Sequence, residues 1–168
     1  LTVDDEQLRA QYLGEVLAVL YPGVDGHDEE DATEYLVVPH ARRPRLLVPA
    51  AHPRLAAAAV RRYAEPQSRM AKLKRDAVVA ALRTGASSVL LRDRLRVTGG
   101  PDAIDAYLRG VLGTELHLSV HIGPARANRK PVLQLLAPDG QTFAFAKLGT
   151  APLTRTLVKA EATALTAV

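Results

Sequence analysis

The chain has 168 residues, enough for one domain or one domain with a small companion. Hydrophobic residues at 48% and charged residues at 24% are ordinary globular values, and folding such a chain buries roughly 70% of the surface exposed when unfolded. The absence of cysteine excludes a disulfide framework and thiolate zinc sites, while a net charge of +4 and a pI near 9.6 suit an anionic partner.

The first predicted element is a helix. Asp4 can cap it, and Leu8, Tyr12, Leu13, Val16, Leu17 and Leu20 recur at helical spacing up to Pro22-Gly23. An acidic loop follows, with Asp25, Asp28, Glu29, Glu30 and Asp31. The apolar runs Tyr35 to Val38 and Leu46 to Val48 suggest a hairpin, and Pro39 and Pro44 mark its wide, basic turn. Pro53 suits the first turn of a second helix reaching Tyr63, which Pro66 ends. Ser68 caps a third helix whose expected apolar side is Met70, Leu73, Ala77 and Ala81, and Gly85 closes it.

Val89 to Val97 reads as an exposed strand, with Arg92, Arg94 and Arg96 alternating against Leu91, Leu95 and Val97. Gly99-Gly100-Pro101 turns the chain into a short helix, Ala103 to Leu112, closed by Gly113. The last third is a β-meander. In its first strand Leu116, Leu118, Val120 and Ile122 alternate with His117, Ser119 and His121. Val132 to Leu136 is the second strand, Pro138-Asp139-Gly140 a tight turn, and Thr142 to Leu148 the third strand. Thr154 then opens a helix with Leu157, Val158 and Leu165 on one face. The fold class expected from this order is α+β, with helices packed on antiparallel sheet.

The apolar stretches are far shorter than the ~20 residues of a membrane helix, and Asp4, Asp5 and Glu6 stand where a signal peptide carries positive charge. No membrane partner is expected, and a cysteine-free chain fits a reducing cytoplasm. The chain starts at Leu1, and its last helix meets the C-terminus with neither cap nor breaker, as expected of a piece cut from a longer protein.

The order of strand, polar loop, strand, tight turn, strand and helix over residues 114–168 resembles the N-terminal lobe of the protein-kinase-like fold. It is most similar to the aminoglycoside and choline phosphotransferase branch. The resemblance implies that the loop from Gly123 to Lys130 covers nucleotide phosphates, with Arg126, Asn128, Arg129 and Lys130 as its polar contacts. It implies that Lys147, in Phe143-Ala144-Phe145-Ala146-Lys147, holds the phosphates of ATP and pairs with Glu161. Physical chemistry points the same way. Lys147 shares a strand face with Phe143 and Phe145, and a lysine among apolar neighbours must snorkel or find an anion. Glu161 lies on the stripe of Leu157, Val158 and Leu165, so it is expected to face the sheet.

The chain departs from the family pattern in three ways. The phosphate loop holds a single glycine, and Phe145 stands where kinases keep a small residue under adenine. No catalytic-loop aspartate or metal-binding aspartate follows, so Mg²⁺ and phosphoryl transfer require a catalytic lobe from elsewhere. The 168 residues are expected to be inactive by themselves, with no catalytic residue. Their partners would be a nucleotide and the remainder of a larger kinase-like chain, and residues 1–113 would act as a cap or docking segment.

Two rivals come from other classes. Arg42, Arg43 and Arg45, then Arg69, Lys72 and Arg75, then Arg92, Arg94 and Arg96 would suit a nucleic-acid or ribosome-binding module if they formed one surface. Aromatic residues at 4% supply few stacking platforms for single strands. The other rival is a non-catalytic structural or docking domain. Metal chemistry is not expected: His117 and His121 stand about 13 Å apart at strand rise, too far to share one ion. His27, His40 and His52 fall in separate loops, and the acidic loop lacks calcium-loop spacing.

Overall fold

The computed structural model describes residues 3–22, 32–63, 69–84, 91–122 and 130–166. The chain is α+β. Its elements are α1 (Val3–Leu20), β1 (Ala32–Val38), β2 (Leu46–Pro49), α2 (Pro53–Tyr63), α3 (Arg69–Thr84) and β3 (Arg94–Thr98). They continue with α4 (Ile104–Leu112), β4 (His117–His121), β5 (Val132–Leu136), β6 (Thr142–Lys147) and α5 (Pro152–Thr166). The six strands form one sheet in the order β3-β1-β2-β4-β5-β6, and every pair is antiparallel. The expected hairpin is the β1–β2 pair, with Tyr35 opposite Pro49 and Val38 opposite Leu46. The meander is β4-β5-β6. Its junction with the N-terminal strands is the β2–β4 pair, where Leu47 faces Val120 and the buried Ser119 hydroxyl donates to the Leu47 carbonyl at 2.8 Å.

Alternating side chains divide the core into two layers. On one face α1 contributes Tyr12, Val16 and Leu20, packed with Tyr35, Val37, Leu47, Leu118, Val120, Leu133 and Leu135 from the strands. Ile104 and Leu108 of α4 and Ala144 and Ala146 of β6 join this layer. On the other face Leu55, Ala56, Ala59 and Val60 of α2 and Val79 and Leu82 of α3 cover Leu36, Leu46, Val48 and Leu136. Inside the first layer the Tyr21 and Tyr35 hydroxyls bond at 2.7 Å. Burial pushes Tyr21 up to about 12 and Tyr35 well above the usual phenol range, so both stay neutral.

Several local expectations need correction. Met70 and Leu73 are exposed, and α3 buries Val79, Ala81 and Leu82 instead, because it packs on α2 and only its C-terminal half joins that core layer. Leu8 and Leu165 are exposed too. β3 is shorter than expected: Leu91 is buried ahead of it, and regular pairing begins at Arg94, opposite Leu36. Helix α1 already includes Asp4, which therefore lies within its first turn. Helix α5 begins at Pro152, where a missing N–H costs nothing, while the Thr154 hydroxyl accepts the Ala151 N–H at 2.9 Å. Ser68, Pro66 and Gly85, like the acidic loop, lie outside the described residues. Gly113 closes α4 as expected, left-handed at φ 62°, with its N–H on the Arg109 carbonyl.

Candidate functional site

The sheet face bearing Lys147 is built by the pleat of three strands. β6 alternates half-buried Thr142, Ala144 and Ala146 with exposed Phe143, Phe145 and Lys147. The alanines point into the α1 layer, so Phe145 and Lys147 share the opposite face, and a register shift at Leu135/Leu136 takes Phe143 and Thr142 out of that alternation. On that face Gln134 of β5 stands opposite Phe145, and Val132 opposite Lys147. Next to them on β4 are Ser119 and His121. Helix α2 packs on β2, β4 and β5 and leaves most of β6 open. It runs alongside β4, with His52, just before its start, tilted against His117 at 4.4 Å and Tyr63 at its end edge-on to His121 at 4.8 Å.

Lys147 and Glu161 are brought together. The Lys147 ammonium donates to one carboxylate oxygen at 2.8 Å, and Lys130, just before β5, donates to the other at 2.7 Å. Two cations on one carboxylate hold Glu161 down at about 2, through the Lys130 hydrogen bond first and the Lys147 bond next. Both groups were expected on a buried side, and both are partly exposed instead: the Lys147 side chain is 53% accessible and Glu161 42%. Among the described residues of α5 Thr154 alone is buried, so the helix leaves the pair uncovered. Lys147 thus has an anion partner and still opens to solvent. Arg126, Asn128 and Arg129 lie outside the described residues.

A polar chain supports the same face. The buried Gln134 side-chain amide donates to the Thr142 hydroxyl at 2.7 Å, and its oxygen meets His121 Nε2 at 3.0 Å. Burial lowers the His121 pKa, with the Gln134 bond opposing it, and a neutral ring that meets an acceptor oxygen carries its hydrogen on Nε2. His121 is clasped between Tyr63 and Phe145, whose ring lies 6.2 Å away. Phe145, 48% exposed, lies on the surface beside Lys147 and forms an apolar platform there.

Sequence reasoning treated Lys130 as a phosphate contact and missed its bond to Glu161. Its parity with Val132 and Gln134, hence its face, was readable. It also missed Gly149. A Cβ on Gly149 would stand 2.6 Å from the Arg155 Cα and 2.7 Å from its backbone nitrogen, so only glycine lets α5 turn back so closely onto β6. The basic groups proposed as a nucleic-acid surface are partly spent on carboxylates: Arg43 pairs with Glu6, Arg75 with Asp76 and Arg94 with Glu34. Among the described residues no group of three or more histidine or acidic side chains could hold a metal, and no helix is long and apolar enough to cross a membrane. Comparison with protein-family models, with curated proteins and with solved structures gives no match.

Proposed function

We propose that this chain is the N-terminal portion of a kinase-like phosphotransferase, similar to the aminoglycoside phosphotransferase branch, and that it contributes nucleotide-phosphate contacts without being catalytic alone. The observation that carries the proposal is the Lys147–Glu161 pair on the open sheet face. A carboxylate that orients a solvent-facing ammonium is the arrangement an ATP phosphate needs: the lysine is fixed in place yet keeps donors free. Lys130 donates to the same carboxylate, so a second ammonium stands at that point, and Arg126, Asn128 and Arg129 precede it in the sequence. Phe145 would meet the nucleotide base from below or fill its place, which makes the base contact an apolar one.

Mg²⁺ enters this proposal only with a catalytic lobe that supplies aspartates, from the remainder of the larger chain. The cysteine-free composition suits a cytoplasmic setting.

The test is a thermal-shift titration with ADP and with Mg²⁺-ATP, on this chain and on Lys147→Ala. Ligand at 100 times its dissociation constant stabilises by about 2.7 kcal/mol. The proposal expects a shift that Lys147→Ala abolishes. No shift with either nucleotide, or an equal shift in the variant, counts against it.

A further inference from the structure

A second basic site lies away from Lys147, in a cleft of about 650 Å³ between α2, α3 and the β5–β6 turn. Arg54, Arg61 and Arg62 of α2 and Arg83 of α3 line it, together with Gly140 and Thr142 of the turn and the start of β6. Its floor is made of small residues. Arg54, Ala57, Ala58 and Arg61 follow one helical stripe, so two alanines separate two guanidinium groups. Gly140, left-handed at φ 91°, brings the turn close enough that a Cβ there would touch Leu55 at 3.5 Å and Ala58 at 3.8 Å. Four cations therefore surround a recess that the backbone itself shapes.

The cations lack local counter-charge. Among the described residues none of the four guanidinium groups has a carboxylate partner, although Arg43, Arg75, Arg94 and Arg109 elsewhere all do. Among the described residues Asp139 is the carboxylate that comes near. It lines the adjoining hollow with Arg54 and Arg83, and its Oδ1 already accepts the Gln141 N–H at 2.8 Å. Helix dipoles account for part of the pattern, since Arg61, Arg62 and Arg83 lie in last turns, where positive charge is favoured. They do not account for Arg54, which sits in the first turn of α2, where positive charge is disfavoured. An anion in the cleft resolves that conflict.

We infer that this cleft binds a small ligand carrying more than one phosphate group. Arg54 and Arg61 are two helical turns apart, about 10 Å along the axis, so the charges are spread for a ligand anionic along its length. Guanidinium forks match phosphate oxygens bidentately, and four of them suit a polyphosphate better than a single carboxylate. The charges converge on a recess instead of following a line, which favours a compact ligand over a nucleic-acid strand. The inference is independent of the nucleotide proposal at Lys147.

The probe is tripolyphosphate, titrated calorimetrically into the full chain at a fixed ionic strength of about 0.15 M. Saturable binding is expected, weakened about tenfold or more by Arg61→Gln/Arg83→Gln, since charge-assisted hydrogen bonds are lost. Lys72→Gln/Lys74→Gln removes the same charge from exposed positions of α3 outside the cleft and should leave binding nearly unchanged. All of these titrations are made in the Lys147→Ala background, so that phosphate contacts at the nucleotide site do not enter them. Should the first double variant not fold, Arg54→Gln alone takes its place, with a smaller loss in the same direction. Absence of saturable binding overturns the inference. So does an equal loss in the Lys72/Lys74 variant.

Discussion

Strands β2 and β6 belong to one sheet and are treated in opposite ways. Leu46, Leu47, Val48 and Pro49 of β2 are all buried, sealed by α1 on one face and α2 on the other. β6 is sealed on one face only, and its other face presents Phe145 and Lys147. The difference follows α2, whose packing reaches β2, β4 and β5 and leaves most of β6 uncovered. Where both faces are covered, side chains answer to packing alone. Where one is left open, a lysine, a carboxylate and a phenyl ring can hold positions that packing would not select.

The largest expected effect tests the sealed half. Leu47→Ala, at a fully buried site, should destabilise the chain by ~2–5 kcal/mol in urea unfolding, from lost transfer energy and the cavity left behind. Phe145→Ala, half exposed on β6, should cost much less, under ~1.5 kcal/mol, chiefly lost contact with His121. Similar losses at the two sites would break the comparison.

Gly149→Ala comes next, at ~1–3 kcal/mol, because a methyl group would strike the Arg155 backbone. Amide exchange should quicken across α5 while α1 and α2 remain protected. Uniform loss of protection would show instead that α5 is integral to the core. Gln134→Leu removes the amide that joins His121 to Thr142 and should cost ~1–3 kcal/mol, with partners left unsatisfied. A neutral effect would mean that the polar chain is incidental to the open face.

The smallest effect concerns pH. Glu161 is depressed in the folded chain from 4.5 to about 2 by its two lysines, so the unfolded state binds more protons between these values. Its stabilising contribution is complete above about 4.5 and lost as pH falls towards about 2. Glu161→Gln should flatten that part of the stability profile, and a carboxylate NMR titration midpoint near 4.5 in the folded chain would contradict the clamp. His121 acts in a higher window. Its pKa is lowered from 6.5 by burial, so stability should decline as pH drops below that value, and His121→Phe should reduce the slope.

Much of this fold was legible in the sequence because its signals are local. The alternation of Leu116, Leu118, Val120 and Ile122 defined β4, Gly113 closed α4, and Asp139-Gly140 turned β5 into β6. The face of Lys147 followed from its parity with Phe145. Other features depend on contacts distant in sequence. No periodicity reveals that α2 leaves most of β6 uncovered, that His52 tilts against His117, or that Gly149 meets Arg155. In α3 the Met70–Leu73 row misled because its apolar residues remain uncovered, while Val79 and Leu82 join the core layer that α2 builds. The arginines of the α2–α3 cleft come from two helices and converge only once those helices pack.

The central claim is that the open face around Lys147 receives nucleotide phosphates, and amide-resolved NMR titration with ADP tests it most directly. The account expects shifts concentrated at Lys130, Gln134, Phe145, Lys147 and Glu161, fading across β2 and absent from β3, and lost in Lys147→Ala. Shifts centred on another surface, or none at millimolar ADP, would contradict it.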